Sequence, residues 1–220
     1  MSTTTSTTTT MTTTTMTTTR PLAARKARTG DHAAVATALA AAFHADPVFR
    51  WLTPDDDRRR RILPPFFELA IDVFRRHDHI WCVGDDGGVA GGALWSPAGV
   101  APMDEVDGDR FVDGCVELAG ADAGRWEDVI GLLDENHPHH ADHDYLWLLG
   151  VVPDRQGRGH GSAMLRAVLD RGDRDGVPAY LEATSRENVR LYERHGFRVT
   201  GELAVTGGPS LWAMWREPAR

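Results

Sequence analysis

Lysine is all but missing from this chain. Lys26 is the only one, the other 23 cationic side chains are arginine, and 32 acidic residues bring the formal net charge to −8. Such a balance argues against a phosphate-backbone partner, because nonspecific nucleic-acid binding rests on cationic side chains that neutralise phosphates. The same sign is compatible with a cationic small substrate. Cysteine is scarce too: Cys82 and Cys115 are the only two, and neither a disulfide framework nor a thiolate metal site follows from them. No run of about 18 apolar residues occurs, so no segment reads as a membrane span. Residues 1–19 contain only Met, Ser and Thr, fourteen of them Thr, and cannot offset the entropy of ordering by burying apolar surface. They also lack the charged start and continuous apolar stretch of a signal peptide. These absences predict a disordered Thr-rich tail over 1–20 and one domain over 21–220. They also predict a soluble, cytoplasmic protein with no nucleic-acid partner and no membrane partner.

What is present suffices for one full core, since 41% of the residues are hydrophobic. Residues 22–28 read as a short strand, and Thr29, Gly30 and Asp31 as a turn opening a helix over 33–43. "DPVFRWLTPDDD" reads as an irregular break. A helical region follows over about 56–76, which Pro64 and Pro65 must kink or divide. "HIWCVGDDGGVAGGALWSP" reads as a hairpin with strands 79–84 and 89–95. The acidic segment 103–136 has helical spacing in two pieces, interrupted near 120–124, and reads as a helical lid or wall. The second half alternates: strand 145–152, helix 160–172, strand 179–183, a short helix closed by Gly196, then "FRVTGELAV" and "SLWAMWRE" as a final strand pair. Strands separated by helices imply at least one parallel crossover in a mixed α/β sheet.

The stretch "DRQGRGHGS", residues 154–162, sits on the turn between the strand at 145–152 and the helix after it. A dinucleotide-binding turn wants G-x-G-x-x-G in an early βαβ unit, and a P-loop wants Lys followed by Ser or Thr; neither pattern is met. Two readings remain. One is an anion cradle, in which backbone N–H groups at the helix start meet a diphosphate and Arg155 or Arg158 adds a cation. The other is a glycine turn that only reverses the chain.

Gln156-x-x-Gly159-x-Gly161 after "LLGVVP" resembles the acetyl-CoA signature of the GNAT acyltransferases, Q/R-x-x-G-x-G/A. "NVRLYERHGFR" resembles that family's second block at the expected distance, and the similarity runs from Arg25 to the C-terminus. The resemblance implies an α/β GNAT fold, with a mixed central sheet of six to seven strands splayed between the fourth and fifth and flanked by helices. It implies acetyl-CoA as co-substrate, no metal, and a monomer or homodimer. The implied acceptor is a primary amine of a small molecule, with an antibiotic of the puromycin type as one candidate. Acetylation of a peptide or protein amine, and a non-catalytic acyl-CoA-binding module, stand as alternatives. The resemblance places the pantetheine arm against the backbone near Leu149 and Val151, in the manner of an added strand. It places the diphosphate on the N–H groups of Gln156, Gly157, Arg158, Gly159, His160, Gly161 and Ser162.

Single residues then take roles, each beside a plainer account. Tyr192 is implied as the proton donor to the departing thiolate, since a phenol near pKa ~10 and a thiol near ~8.5 are matched well enough for general-acid transfer; otherwise it packs under the next strand. Asn188 either hydrogen-bonds the cofactor or starts a helix. Glu182, on the second splayed strand, either deprotonates or binds the incoming ammonium, or is an exposed strand carboxylate. The "HPHHADH" run reads as a solvated loop that completes no metal site, with His143 able to reach the acceptor side. Phe49, Trp51 and Trp95 either line the acceptor pocket or belong to the core.

Overall fold

A computed structural model of the chain describes residues 23–85 and 87–219; the Thr-rich tail expected over 1–20 lies outside them. In chain order the elements are β1 (Arg25–Lys26), α1 (His32–Phe43), α2 (Pro47–Leu52), α3 (Asp56–Phe74), β2 (Ile80–Asp85), β3 (Gly88–Ser96), α4 (Glu105–Ala119), α5 (Ala123–Asn136), β4 (Asp144–Val151), α6 (His160–Asp175), β5 (Ala179–Ala183), α7 (Arg186–Glu193), β6 (Arg198–Ala204) and β7 (Ser210–Arg216). The strands form one sheet in the order β1-β2-β3-β4-β5-β7-β6. Only β4 and β5 pair in parallel; the other neighbours are antiparallel. This is the mixed, helix-flanked sheet of seven strands that the resemblance implies.

Three local expectations are corrected. The first strand shrinks to two residues. The supposed break at "DPVFRWL" is the helix α2: the Asp46 carboxylate accepts from the N–H groups of Val48 and Phe49, and Pro47 fills the first turn, where a missing donor costs nothing. Pro64 and Pro65 do not divide α3, which runs through 19 residues. The carbonyls those prolines leave without helical partners belong to Arg60 and Arg61, both exposed and open to water.

Alternation along the strands sorts the core into two layers. Tyr145, Leu148, Tyr180 and Leu211 face α1 to α5, while Leu146, Val151, Leu181 and Met214 face α6 and α7. The first layer is tight because β3 and β4 carry glycine beneath α1. A Cβ at Gly92 would meet Val35 Cγ1 at 2.5 Å, and one at Gly150 would meet Ala42 Cβ at 2.8 Å. A side chain at either place would push α1 off the sheet.

Candidate active site

The site begins at Trp147. Pairing between β3 and β4 jumps from Leu94↔Leu148 to Trp95↔Leu146, leaving Trp147 as a bulge. Its indole stacks on Phe74, with centroids 4.5 Å apart. Parallel pairing of β4 with β5 covers only Asp144↔Ala179, Tyr145↔Tyr180 and Leu146↔Leu181, and stops at the bulge. Beyond it the strands part. Val152 N–H donates to Ala90 O on β3, so by alternation Leu149 and Val151 turn their backbone groups away from β3, into the gap. The Val151 carbonyl there accepts a hydrogen bond from Gln156 Nε2 at 3.0 Å.

The loop after β4 leads into α6 with Gly157 at φ 72° and Gly159 at φ 85°, left-handed conformations that favour glycine. Whereas α2, α3, α4 and α7 are capped by Asp46, Asp55, Asp104 and Ser185, the α6 N-cap is Gly159, with no side chain to satisfy the first N–H groups. Those donors and the helix dipole suit an anion. Ser162 Oγ pairs with His195 Nε2 at 2.9 Å and does not cap. His160 is buried, and desolvation holds its imidazole below the usual value. Gly161 faces Leu149 and Leu191, each with a methyl carbon 3.6 Å from where its Cβ would stand. Of the two arginines, Arg155 is committed to Asp85 at 2.8 Å and to the carbonyls of Gly87 and Gly88. It locks the β2–β3 turn, leaving Arg158, exposed and donating to Asp154 O, as the cation beside the cradle.

The gap opens into a cavity of about 620 Å³. Leu149, Thr184, Asn188 and Tyr192 line it on the splayed side; Phe49, Phe66, Phe111, Trp126 and Trp147 line it on the side of α2 to α5. Glu182, on the cavity wall, is half-buried rather than exposed. Tyr145 Oη donates to its Oε2 at 3.0 Å, while Oε1 is buried with no partner. Burial pushes the Glu182 carboxyl up to about 7, against the opposing pull of the Tyr180 and Tyr145 phenols. Tyr192 is buried among the lining, and its hydroxyl makes no hydrogen bond among the described residues. Desolvation, with the Asp46 carboxylate nearby, raises its pKa, so it stays protonated at neutral pH.

Asn188 does not stand free. Its backbone N–H donates to Ser185 Oγ, and its Nδ2 donates to Thr184 Oγ1 at 3.3 Å; Thr184 in turn donates to Asp46 Oδ2 at 2.5 Å. Burial raises the Asp46 carboxyl. This chain ties the start of α2 to the start of α7, and sequence reasoning missed it together with Tyr145. The Asp-Pro pair was the signal for the former. Trp51 and Trp95 are not cavity residues: Trp51 Nε1 donates to Gly207 O and its ring lies under Arg125, while Trp95 is fully buried on the α6 side of the sheet. Phe49 does line the cavity. From the histidine run, His137 and His139 reach it and His143 does not; burial pushes His137 down to about 4, so its ring is neutral. Among the described residues no cluster of three or more His, Cys, Asp or Glu is arranged to hold a metal ion.

A sheet that opens at a bulge, a left-handed loop feeding an uncapped helix, and a cavity that leads from the gap to a carboxylate with a buried, unpartnered oxygen define an acyl-transferring class. The chain belongs to the acetyltransferase (GNAT) family, whose model matches residues 37–197. An N-acetyltransferase of Schizosaccharomyces pombe is 24% identical over 204 residues, covering 84% of this chain and 78% of that protein. A Corynebacterium glutamicum protein described as histone acetyltransferase HPA2 and related acetyltransferase superposes with a TM-score of 0.67 at 28% identity, over 90% of this chain and 97% of that one. A mycothiol acetyltransferase of Clavibacter sepedonicus is 47% identical over 57 residues, 24% of this chain and 18% of its own length.

Proposed function

We propose that this N-acetyltransferase moves the acetyl group of acetyl-CoA to the primary amine of a small cationic molecule. The observation that carries this reading is the single cavity joining the strand gap, where a thioester arm fits as an added strand, to a carboxylate whose Oε1 is buried and unpartnered, with no arginine or lysine in its lining. Leu149 and Val151 present backbone groups to the arm, and the N–H groups of residues 157–162 receive the diphosphate, that of Gln156 being donated to Pro153 O instead. Glu182 accepts a proton from the incoming ammonium. The free amine attacks the thioester carbonyl, a backbone N–H of β4 in the gap stabilises the oxyanion, and Tyr192 returns a proton to the leaving thiolate. Asn188 then acts through Thr184, holding the mouth of the gap. Carboxylates of Asp104, Glu105, Asp109 and Asp134 surround the acceptor side and favour a cation. Walls from α2 to α5 favour a small molecule over a protein tail; an antibiotic amine of the puromycin type belongs to that class.

Incubation with acetyl-CoA and a panel of amines including puromycin, followed by free-thiol release, tests the reading. Thiol release should require an amine, and Tyr192→Phe should lower turnover at least about tenfold with little change in acetyl-CoA binding. Cofactor binding with no thiol released on any amine would instead make the chain an acyl-CoA-binding module.

A further inference from the structure

Two glycines in the wall of the cavity have no conformational or packing reason to be glycine. Gly108 lies within α4 and Gly131 within α5, neither with a positive φ, and a Cβ added to either would meet nothing within 4 Å. Glycine weakens a helix interior, so a residue with a side chain would serve α4 and α5 better. Gly114, also in α4, is different: its Cβ would stand 2.6 Å from Leu69 Cδ2. Gly108 and Gly131 both line the cavity, whereas Gly114 does not. A second, independent feature says what that space receives. Glu182 carries a buried oxygen, Oε1, with no partner and lines the same cavity.

We propose that Gly108 and Gly131 are the specificity-determining positions of the acceptor pocket, their missing side chains admitting a primary amine with an aromatic body whose ammonium group meets Glu182. This rests on the transferase reading only for the fate of the amine. The body is aromatic because the wall is: Phe66 lies 5.0 Å from Trp126 and 6.0 Å from Phe111, and Phe111 lies 5.2 Å from Trp147, ring centroid to ring centroid.

Calorimetric titration of the full chain in the presence of coenzyme A, with 2-phenylethylamine and propylamine as probes, tests the proposal. The wild type should bind 2-phenylethylamine at least about tenfold tighter than propylamine, and Gly131→Leu or Gly108→Leu should erase that preference without lowering the melting temperature. Gly124→Ala, in α5 but outside the lining, should leave the preference intact and control for helix propensity. If a leucine variant fails to fold, Gly108→Ala and Gly131→Ala take its place, with a smaller loss of preference expected. No preference in the wild type, or one that survives in folded variants at both positions, would overturn the proposal. Thiol release from acetyl-CoA, run on the same amines, separates the two readings. Thiol released with every amine alike would sink this proposal and leave the transferase standing. Preferred binding of 2-phenylethylamine without thiol release would do the reverse.

Discussion

Glu182 shows how one side chain acquires its chemistry from its position. In water a glutamate is almost fully ionised at pH 7; between Tyr145 and Tyr180, where its surroundings are partly desolvated, its carboxyl is raised to about 7. A base poised at that value takes a proton from an ammonium and gives it up again readily. The chain has only three tyrosines, and two flank this carboxylate while the third, Tyr192, lines the same cavity. Glu182→Gln should therefore lower kcat/KM at least about a hundredfold and remove an acid limb centred near pH 7 from the rate profile. The same substitution has a stability signature. Burial raises the folded pKa above the unfolded value of 4.5, so the contribution of the protonated group is complete below 4.5 and is lost as pH rises through about 7. The glutamine variant should thus melt above the wild type at pH 8, and the two should converge toward pH 5. Calorimetric melting temperatures that differ by the same amount at both values would show that Glu182 is not perturbed in this way.

The role proposed for the turn into α6 in holding the cofactor rests on backbone conformation more than on side chains. Gly159→Ala places a Cβ on a left-handed residue, at a cost of about 1–2 kcal/mol, and would turn the amides proposed to face the diphosphate. The expected outcome is a lower melting temperature together with weaker binding of coenzyme A in a direct titration. A lower melting temperature with unchanged affinity would separate this loop from the nucleotide. The glycine spacing, the strand before it and the helix after it were all legible in the sequence, because a strand-to-helix turn is a local event. The start signal of α2 is local too, since Asp46 and Pro47 are a capping pair. The Thr184–Asp46 contact spans 138 positions and leaves no periodicity to read.

Over the whole molecule, burial of neutral histidine sets the response to acid. His77, His137, His143, His160 and His195 all titrate below the ordinary histidine value, in each case chiefly through desolvation. A depressed folded pKa means that stability is complete above the unfolded value of 6.5 and is lost as pH falls toward the folded values. Asp46 and Glu182 act in the opposite sense, but they are two against five. The melting temperature should therefore drop between pH 7.5 and pH 5.5. An equal or higher value at pH 5.5 would show that these rings are solvated.

The sequence by itself determined the order of strands and helices from the β2–β3 hairpin onward, the glycine turn and its partner block, and the excess of acid over base. Each of these lies in neighbouring residues or in simple counts. Only the tertiary structure decided that Glu182 is half-buried beside two phenols, that Arg155 belongs to a hairpin and not to an anion, that Trp51 and Trp95 stay out of the pocket, and that two helical glycines open it. The physical reason is common to all four. Burial, hydrogen-bond partners and empty space are properties of residues brought together from distant parts of the chain, and desolvation acts only once they have met.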